Sequence, residues 1–224
     1  MKNFINGVKM ENKTLEGFLN FCQYKNKFSQ LDQDLLALYL FDKPGFFVEF
    51  GATDGVSLSN TKLLESSYGW NGILCEPSKF YQEDLIRNRS SRIDFRCVSD
   101  VTGQRVEFSQ CDVPELSSMS SHIDSDHWYE TRKRNQTYEV ETVSLDDLLL
   151  QNNAPQTIEY ISIDTEGSEY TILNNFSFDW DVKLFTVEHN YAKNRDNIFA
   201  LMIKNGYRQI FPEVSQWDDW YYRD

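Results

Sequence analysis

The chain has 224 residues, with 22 lysines and arginines against 35 aspartates and glutamates, a formal charge of −13. That length buries a substantial core, and 40% hydrophobic with 15% aromatic residues is too apolar for a disordered chain. The acidity disfavours partners that present phosphates, whether nucleic acid or an anionic lipid surface, because both call for a dominant basic face. Neutral, cationic or small partners remain. No run approaches the ~18 consecutive apolar residues of a membrane span. The start, Met1 to Val8, lacks the apolar core and cleavage site of a secretory signal. Cys22, Cys75, Cys97 and Cys111 have no CxxC spacing and read as reduced thiols of a cytoplasmic protein.

In chain order, residues 1–44 read as a helical extension. Leu15, Phe18, Leu19 and Cys22 share one helical face, and Leu31, Leu35, Leu38 and Tyr39 another, before Pro44-Gly45 stops the pattern. From residue 45 to 224 short apolar runs alternate with helical spacing. Strands are predicted at Phe46–Phe50, Ile73–Glu76, Ile93–Val98, Tyr138–Val143, Tyr160–Asp164 and Leu184–His189. Helices are predicted at Leu58–Tyr68, Ser78–Arg87, Ser144–Gln151, Ser168–Asn174 and Asn197–Lys204, the last ended by Asn205-Gly206. The polar stretch from Cys111 to Gln136 reads as a long loop, with His122, His127, Trp128 and Tyr129 as lid candidates. The chain finishes with Tyr207–Phe211 and an aromatic tail, Trp217 to Tyr222. Strand and helix in alternation mean an α/β doubly wound, mostly parallel sheet with a helical N-terminal extension.

In such sheets ligands bind beyond the C-terminal strand ends, so the polar residues at each predicted end are the candidate ligand contacts. The first gives Glu49, then Gly51-Ala52-Thr53-Asp54-Gly55, a sharp turn that lets a ligand approach the backbone. It lacks the middle glycine of GxGxxG, and Glu49 and Asp54 put negative charge where a pyrophosphate would sit. A nicotinamide dinucleotide is therefore disfavoured, and S-adenosylmethionine, with its ammonium and sulfonium, fits better. Glu76-Pro77 ends the second strand, 21 positions after Gly55; an acid roughly 20 residues past a glycine turn accepts ribose hydroxyls in related folds. Ser99-Asp100, after the third, is placed to meet an adenine edge. The fourth ends in Asp164, Glu166 and Glu169, the fifth in Glu188-His189-Asn190. Carboxylates this dense require a nearby cation, a metal or a shared proton. Glu169 reads as a solvated helix face, and Asp32, Asp34, Asp146, Asp147, Asp218 and Asp219 as helix-start and surface charge.

The blocks from Gly51 through Asn60-Thr61, Glu76-Pro77 and Asp164-Thr165-Glu166-Gly167-Ser168-Glu169 resemble those of the FkbM-type S-adenosylmethionine-dependent methyltransferases. Ser29-Gln30 and Gln33-Asp34 ahead of the first strand, and Gly206-Tyr207 with Trp217 to Tyr221, are similar too. Thr53 stands where that family more commonly has Asn. The resemblance implies a class I methyltransferase (Rossmann-like) fold with seven strands ordered 3-2-1-4-5-7-6, which O-methylates a hydroxyl, often on a sugar or natural product. The cofactor-binding set is then Glu49, Gly51, Ala52, Asp54, Gly55, Asn60, Glu76, Pro77, Ser99, Asp164 and Glu166. His189 is the expected general base, with Asp164 orienting it and Glu188 beside them. A rival arrangement uses Asp164 with Glu188 or Asn190 as ligands of Mg²⁺. A catalytically degenerate binding domain and an NAD-dependent oxidoreductase are the competing functions. The expected partner is a small-molecule or glycan acceptor, with no nucleic acid and no membrane. Trp217, Trp220, Tyr221 and Tyr222 serve either core packing or the faces of a sugar.

Overall fold

The computed structural model describes residues 13–122, 129–132 and 135–224. Its central element is a seven-stranded sheet built from β1 (Phe46–Phe50), β2 (Asn71–Cys75), β3 (Arg92–Asp94), β8 (Thr157–Ile163), β9 (Asp181–Glu188), β10 (Arg208–Gln209) and β11 (Asp218–Tyr222). The spatial order is β3-β2-β1-β8-β9-β11-β10. Numbered by their succession within this sheet, the strands run 3-2-1-4-5-7-6, the order that the resemblance implied. β1 pairs in parallel with β2 and β8, while β11 runs antiparallel to β9. Strand order reverses between β1 and β8, which opens a crevice at their C-terminal ends.

Both faces of the sheet are covered, as an unbroken apolar strand such as Phe46–Phe50 requires. Phe46, Val48 and Phe50 point to one side, where Ile161, Ile163 and Phe185 join them beneath α6 (Leu145–Gln151), α7 (Glu169–Asn175) and α8 (Arg195–Lys204). Phe47, Leu74, Tyr160, Leu184 and Trp220 point to the other, beneath α1 (Leu15–Cys22), α2 (Gln33–Leu40), α3 (Lys62–Tyr68) and α4 (Gln82–Asn88). The N-terminal helices thus share a core with the sheet. Thr14 caps α1 through the Gly17 N–H at 3.0 Å, and Ser144 caps α6 through the Asp147 N–H at 3.2 Å.

Three expectations are corrected. The strand predicted at Ile93–Val98 is two strands: β3 ends at Asp94, and β4 (Cys97–Ser99) enters a second sheet. At the break the Asp94 carboxylate accepts the Arg96 N–H at 3.0 Å and its guanidinium, which bends the chain away. The stretch predicted as loop is bounded by two long strands that were not expected and carries short elements among its described residues, including one two-residue strand. β5 (Arg105–Cys111), β6 (Ser118–Met119) and β7 (Asn135–Ser144) form a sheet ordered β4-β7-β5-β6. Its exposed face carries charge and its apolar side is small, built on Cys97, Phe108 and Met119, so hydrophobic alternation is weak there. The helix predicted from Leu58 starts instead at Lys62, because the backbone before it is committed to Glu49.

The lid residues His127 and Trp128 lie outside the described residues, as do the side chains of His122 and Tyr129. Among the described residues no helix is long and apolar enough to cross a membrane. All four cysteines are free.

Candidate active site

A cavity of about 420 Å³ opens at the crevice beyond β1, β2, β8 and β9. The turn after β1 forms its floor. Gly51, at φ +71°, lies so close to the chain leaving β8 that a Cβ there would stand 2.2 Å from the Asp164 carbonyl oxygen. The Gly51 and Ala52 N–H groups both donate to the Cys75 carbonyl, at 3.0 and 3.2 Å, which fixes the turn to the end of β2. Gly51 lines the cavity and Ala52 is buried beneath it. Gly55 is needed for another reason: its Cβ would collide with Arg89 and Leu85. Asp54 closes the turn by accepting from the Val56 and Ser57 N–H groups at 2.8 and 2.7 Å. Partial burial alone would raise its pKa, but these donors outweigh it and hold the carboxyl below its ordinary range. Neither Gly55 nor Asp54 lines the cavity; they shape the turn that does.

Glu49 points to the α3 side and is saturated from within. It accepts from Ser59 Oγ, the Asn60 N–H at 2.6 Å and Thr61 Oγ1 at 2.5 Å, with the buried Arg89 guanidinium 3.4 Å away. A carboxylate has about four lone-pair sites, so Glu49 organises the loop rather than reaching for a ligand. Asn60, which that loop presents, lines the cavity. Its Nδ2 donates to Ser162 Oγ at 2.8 Å, while its buried Oδ1 has no hydrogen-bond partner among the described residues.

Glu76 is buried at the rim beside Pro77. One oxygen accepts the Ser78 N–H at 2.7 Å and the other the Thr53 N–H at 2.9 Å, leaving a lone pair on each for a ligand's donors. Burial pushes its pKa up to about 7, with Asp164 adding to the rise. Next to it, Cys97, Val98, Phe108 and Met119 supply an apolar wall from the second sheet. Ser99 belongs to β4 but is turned away, its hydroxyl donating to Asp100 at 3.1 Å, and it does not line the cavity. The split of the predicted third strand accounts for that displacement.

At the end of β8, Asp164 meets Glu188 from β9. Burial, reinforced by the charges of Glu169 and Glu49, raises Asp164 to about 6, against a hydrogen bond from Glu188. Glu188 is pushed far higher by burial and by Asp164 itself. Two adjacent half-buried carboxyls cannot both ionise cheaply, so Glu188 holds the proton and donates it to Asp164. Glu166, at φ +57°, is clasped by the buried Arg132 guanidinium of α5 (Tyr129–Arg132). Asp164, Glu166 and Glu188 each offer an oxygen within 4.8 Å of the others. Glu169 is buried rather than solvated: its Oε1 accepts from the Thr165 and Gly167 N–H groups, both at 3.0 Å, and pins the turn that leads into α7.

His189 stands behind this rim and does not line the cavity. Its Nδ1 accepts the Tyr191 N–H at 3.0 Å, so the neutral ring carries its proton on Nε2, 3.5 Å from Asp219 Oδ1. Asp219 also accepts from Arg195 and from Gln209. Burial would raise its pKa, yet His189 and Arg195 outweigh burial and hold it at about 2. His189 thus lies buried between β9 and β11, behind the cavity wall.

Several cavity residues lie outside the expected cofactor and base set. Asp218 and Asp219, expected at the surface, are buried, as is Asp34. Gln30 and Gln33 reach the cavity from ahead of the sheet, and Tyr191, Trp217 and Asp218 close its far end. The Ser29-Gln30 and Gln33-Asp34 pairs were a signal for this, but nothing in spacing brings them to the opposite end of the chain. In the aromatic tail Trp220, Tyr221 and Tyr222 are core, and only Trp217 faces the cavity.

A crystal structure described as methyltransferase FkbM from Methylobacillus flagellatus KT superposes with a TM-score of 0.49 at 14% identity. The match covers 94% of this chain, which spans 59% of that one. Among curated proteins none matches the sequence. The methyltransferase FkbM domain model matches residues 49–220, from the glutamate that organises the first turn to the tryptophan in the last strand. The chain belongs to the FkbM methyltransferase domain family.

Proposed function

We propose that the protein is an S-adenosylmethionine-dependent O-methyltransferase acting on a hydroxyl of a sugar, glycan or related small metabolite. The observation that carries this reading is Glu76. Its two oxygens are each fixed by one backbone N–H, and each keeps a lone pair turned to the cavity, which suits two ribose hydroxyls. The unpartnered Asn60 Oδ1, an acceptor waiting for a donor, fits the methionine ammonium. The apolar wall of Cys97, Val98 and Phe108 suits an adenine ring. Among the described lining residues Arg96 is the one cation, and Asp94 binds it. That balance favours a cationic donor and an acceptor without phosphate or carboxylate.

When bound, S-adenosylmethionine supplies a methyl group on a positively charged sulfur. The chain's part is to bind, orient and deprotonate the acceptor. We assign the proton-accepting role to the Asp164–Glu188 pair in place of His189, because the pair lines the cavity and the imidazole does not. Above about pH 6 Asp164 is ionised and braced by the Glu188 proton, so the acceptor proton moves to an Asp164 oxygen. Arg132 already neutralises Glu166, which disfavours a second cation beside it and speaks for this pair over Mg²⁺. Free thiols fit a cytoplasmic setting.

Calorimetry with S-adenosylhomocysteine against NAD tests the donor. Binding of S-adenosylhomocysteine alone supports the reading, and binding of neither, or of NAD alone, overturns it. Turnover that survives exhaustive chelation supports the pair as base, and loss restored by Mg²⁺ overturns that assignment.

A further inference from the structure

Strand order places the cavity residues along a line: Glu76 after β2, Gly51 after β1, Asp164 after β8, Glu188 at the end of β9, and Asp218 at the start of β11. Neighbouring strands stand about 4.8 Å apart. The donor features lie at one end of this line and the Asp164–Glu188 pair near its middle. The far end holds Gln33, Tyr191, Trp217 and Asp218. Asp218 is the direct cross-strand partner of Glu188, so a second carboxylate stands one residue step from the reacting pair. It is buried, and it is held from outside the sheet. Gln33 Nε2 donates to Asp218 Oδ2 at 2.8 Å, and Gln33 Oε1 is itself fixed by the Leu31 N–H at 2.8 Å. A glutamine buried to fix a carboxylate at a cavity wall is costly to arrange unless that carboxylate has work to do.

We infer that the acceptor is a vicinal diol, with one hydroxyl set against Asp164–Glu188 and its neighbour donating to Asp218, while Trp217 offers the ring a flat face. Gln33 is a positioning residue that acts through Asp218, so the segment ahead of the sheet is part of the active site. The inference rests on the proposed methyl-transfer reading. An isolated alcohol engages only Asp164–Glu188 and leaves Asp218 with no donor from the acceptor beyond the one Gln33 supplies, so the adjacent hydroxyl is a specificity element.

The test uses the full chain saturated with S-adenosylhomocysteine for binding, followed by saturation-transfer NMR, and labelled methyl donor for turnover. The probes are methyl hexopyranosides, cyclitols and their monodeoxy counterparts. At least one diol is expected to bind and react, and removing the hydroxyl beside the methylated one is expected to lower kcat/KM about tenfold or more. Asp218→Asn should erase that difference while S-adenosylhomocysteine affinity stays within about threefold, which also shows that the variant folds. Gln33→Ala should raise KM for the diol more than it lowers kcat, a split that a general loss of stability would not produce. Equal rates on diol and deoxy probes overturn the inference. So does undiminished discrimination in Asp218→Asn, or a protein that binds S-adenosylhomocysteine but none of the diols. Failure to bind S-adenosylhomocysteine would instead remove the donor reading, and this inference with it.

Discussion

Glu76 Oε2 accepts the Thr53 N–H at 2.9 Å, which joins the end of β2 to the turn after β1 across the crevice where strand order reverses. The bond does two things at once. It holds Thr53 at φ +46°, a left-handed conformation that a side chain rarely adopts, and it aims the carboxylate along the rim. Glu76→Gln keeps the shape but replaces a charged acceptor with a neutral amide. Hydrogen bonds to a charged group are worth about 1.5–3 kcal/mol, so S-adenosylhomocysteine affinity should fall about 10- to 100-fold by calorimetry. An unchanged affinity would count against Glu76 as the ribose contact.

The two candidate bases give opposite outcomes. Asp164→Asn should lower kcat about 10²- to 10⁴-fold, the range for losing a general base, with a protein that still melts cooperatively. His189→Ala should instead lower stability by about 1–3 kcal/mol, because Asp219 loses a buried neighbour. At temperatures well below its melting point its kcat should stay within severalfold of the parent. The reverse pattern would restore the imidazole to the chemistry.

Stability should vary with pH in a definite direction. Asp164 is raised to about 6, and Glu76 and Asp218 to about 7, whereas unfolded carboxyls titrate near ~4. Between these values the folded chain holds more protons than the unfolded one, so stability falls as pH rises through that window. Asp219, held at about 2, works the other way: its contribution is present above ~4 and is lost as pH falls toward 2. The melting temperature of the unliganded protein should therefore peak at about pH 4 and decline as pH rises to about 7. Glu76→Gln and Asp218→Asn should each flatten the decline. A melting temperature that rises from about pH 4 to about 7 would contradict the buried carboxyls.

Gly51 and Gly103 offer a matched comparison, since both have positive φ, +71° and +83°. A methyl at Gly103 meets nothing within 4 Å, so Gly103→Ala should cost only the backbone strain, about 1–2 kcal/mol. A methyl at Gly51 meets the Asp164 backbone, and Gly51→Ala should cost about 3 kcal/mol or more. It should also abolish S-adenosylhomocysteine binding, because the floor of the cavity moves. Equal melting temperatures for the two variants would show that β1 and β8 are not pressed together there.

By itself the sequence determined the parallel strands β1, β2, β8 and β9 and the polar residues at their ends. Phe46–Phe50 reads as a two-sided strand because every residue is apolar or, like Glu49, capable of local satisfaction, and Gly51, Glu76 and Asp164 announce themselves at predicted strand ends. These are local signals, set by periodicity and by turn chemistry within a few residues. The tertiary structure alone decided which carboxyls do what. His189 and Asp218 lie one to each side of the β9–β11 pairing, yet one faces Asp219 in the interior and the other the cavity. Residues 33 and 218 meet only because α2 packs on the same sheet face as Trp220. Burial and proximity of that kind come from long-range packing, and at Asp218 they convert what read as surface charge into a raised carboxyl on the cavity wall.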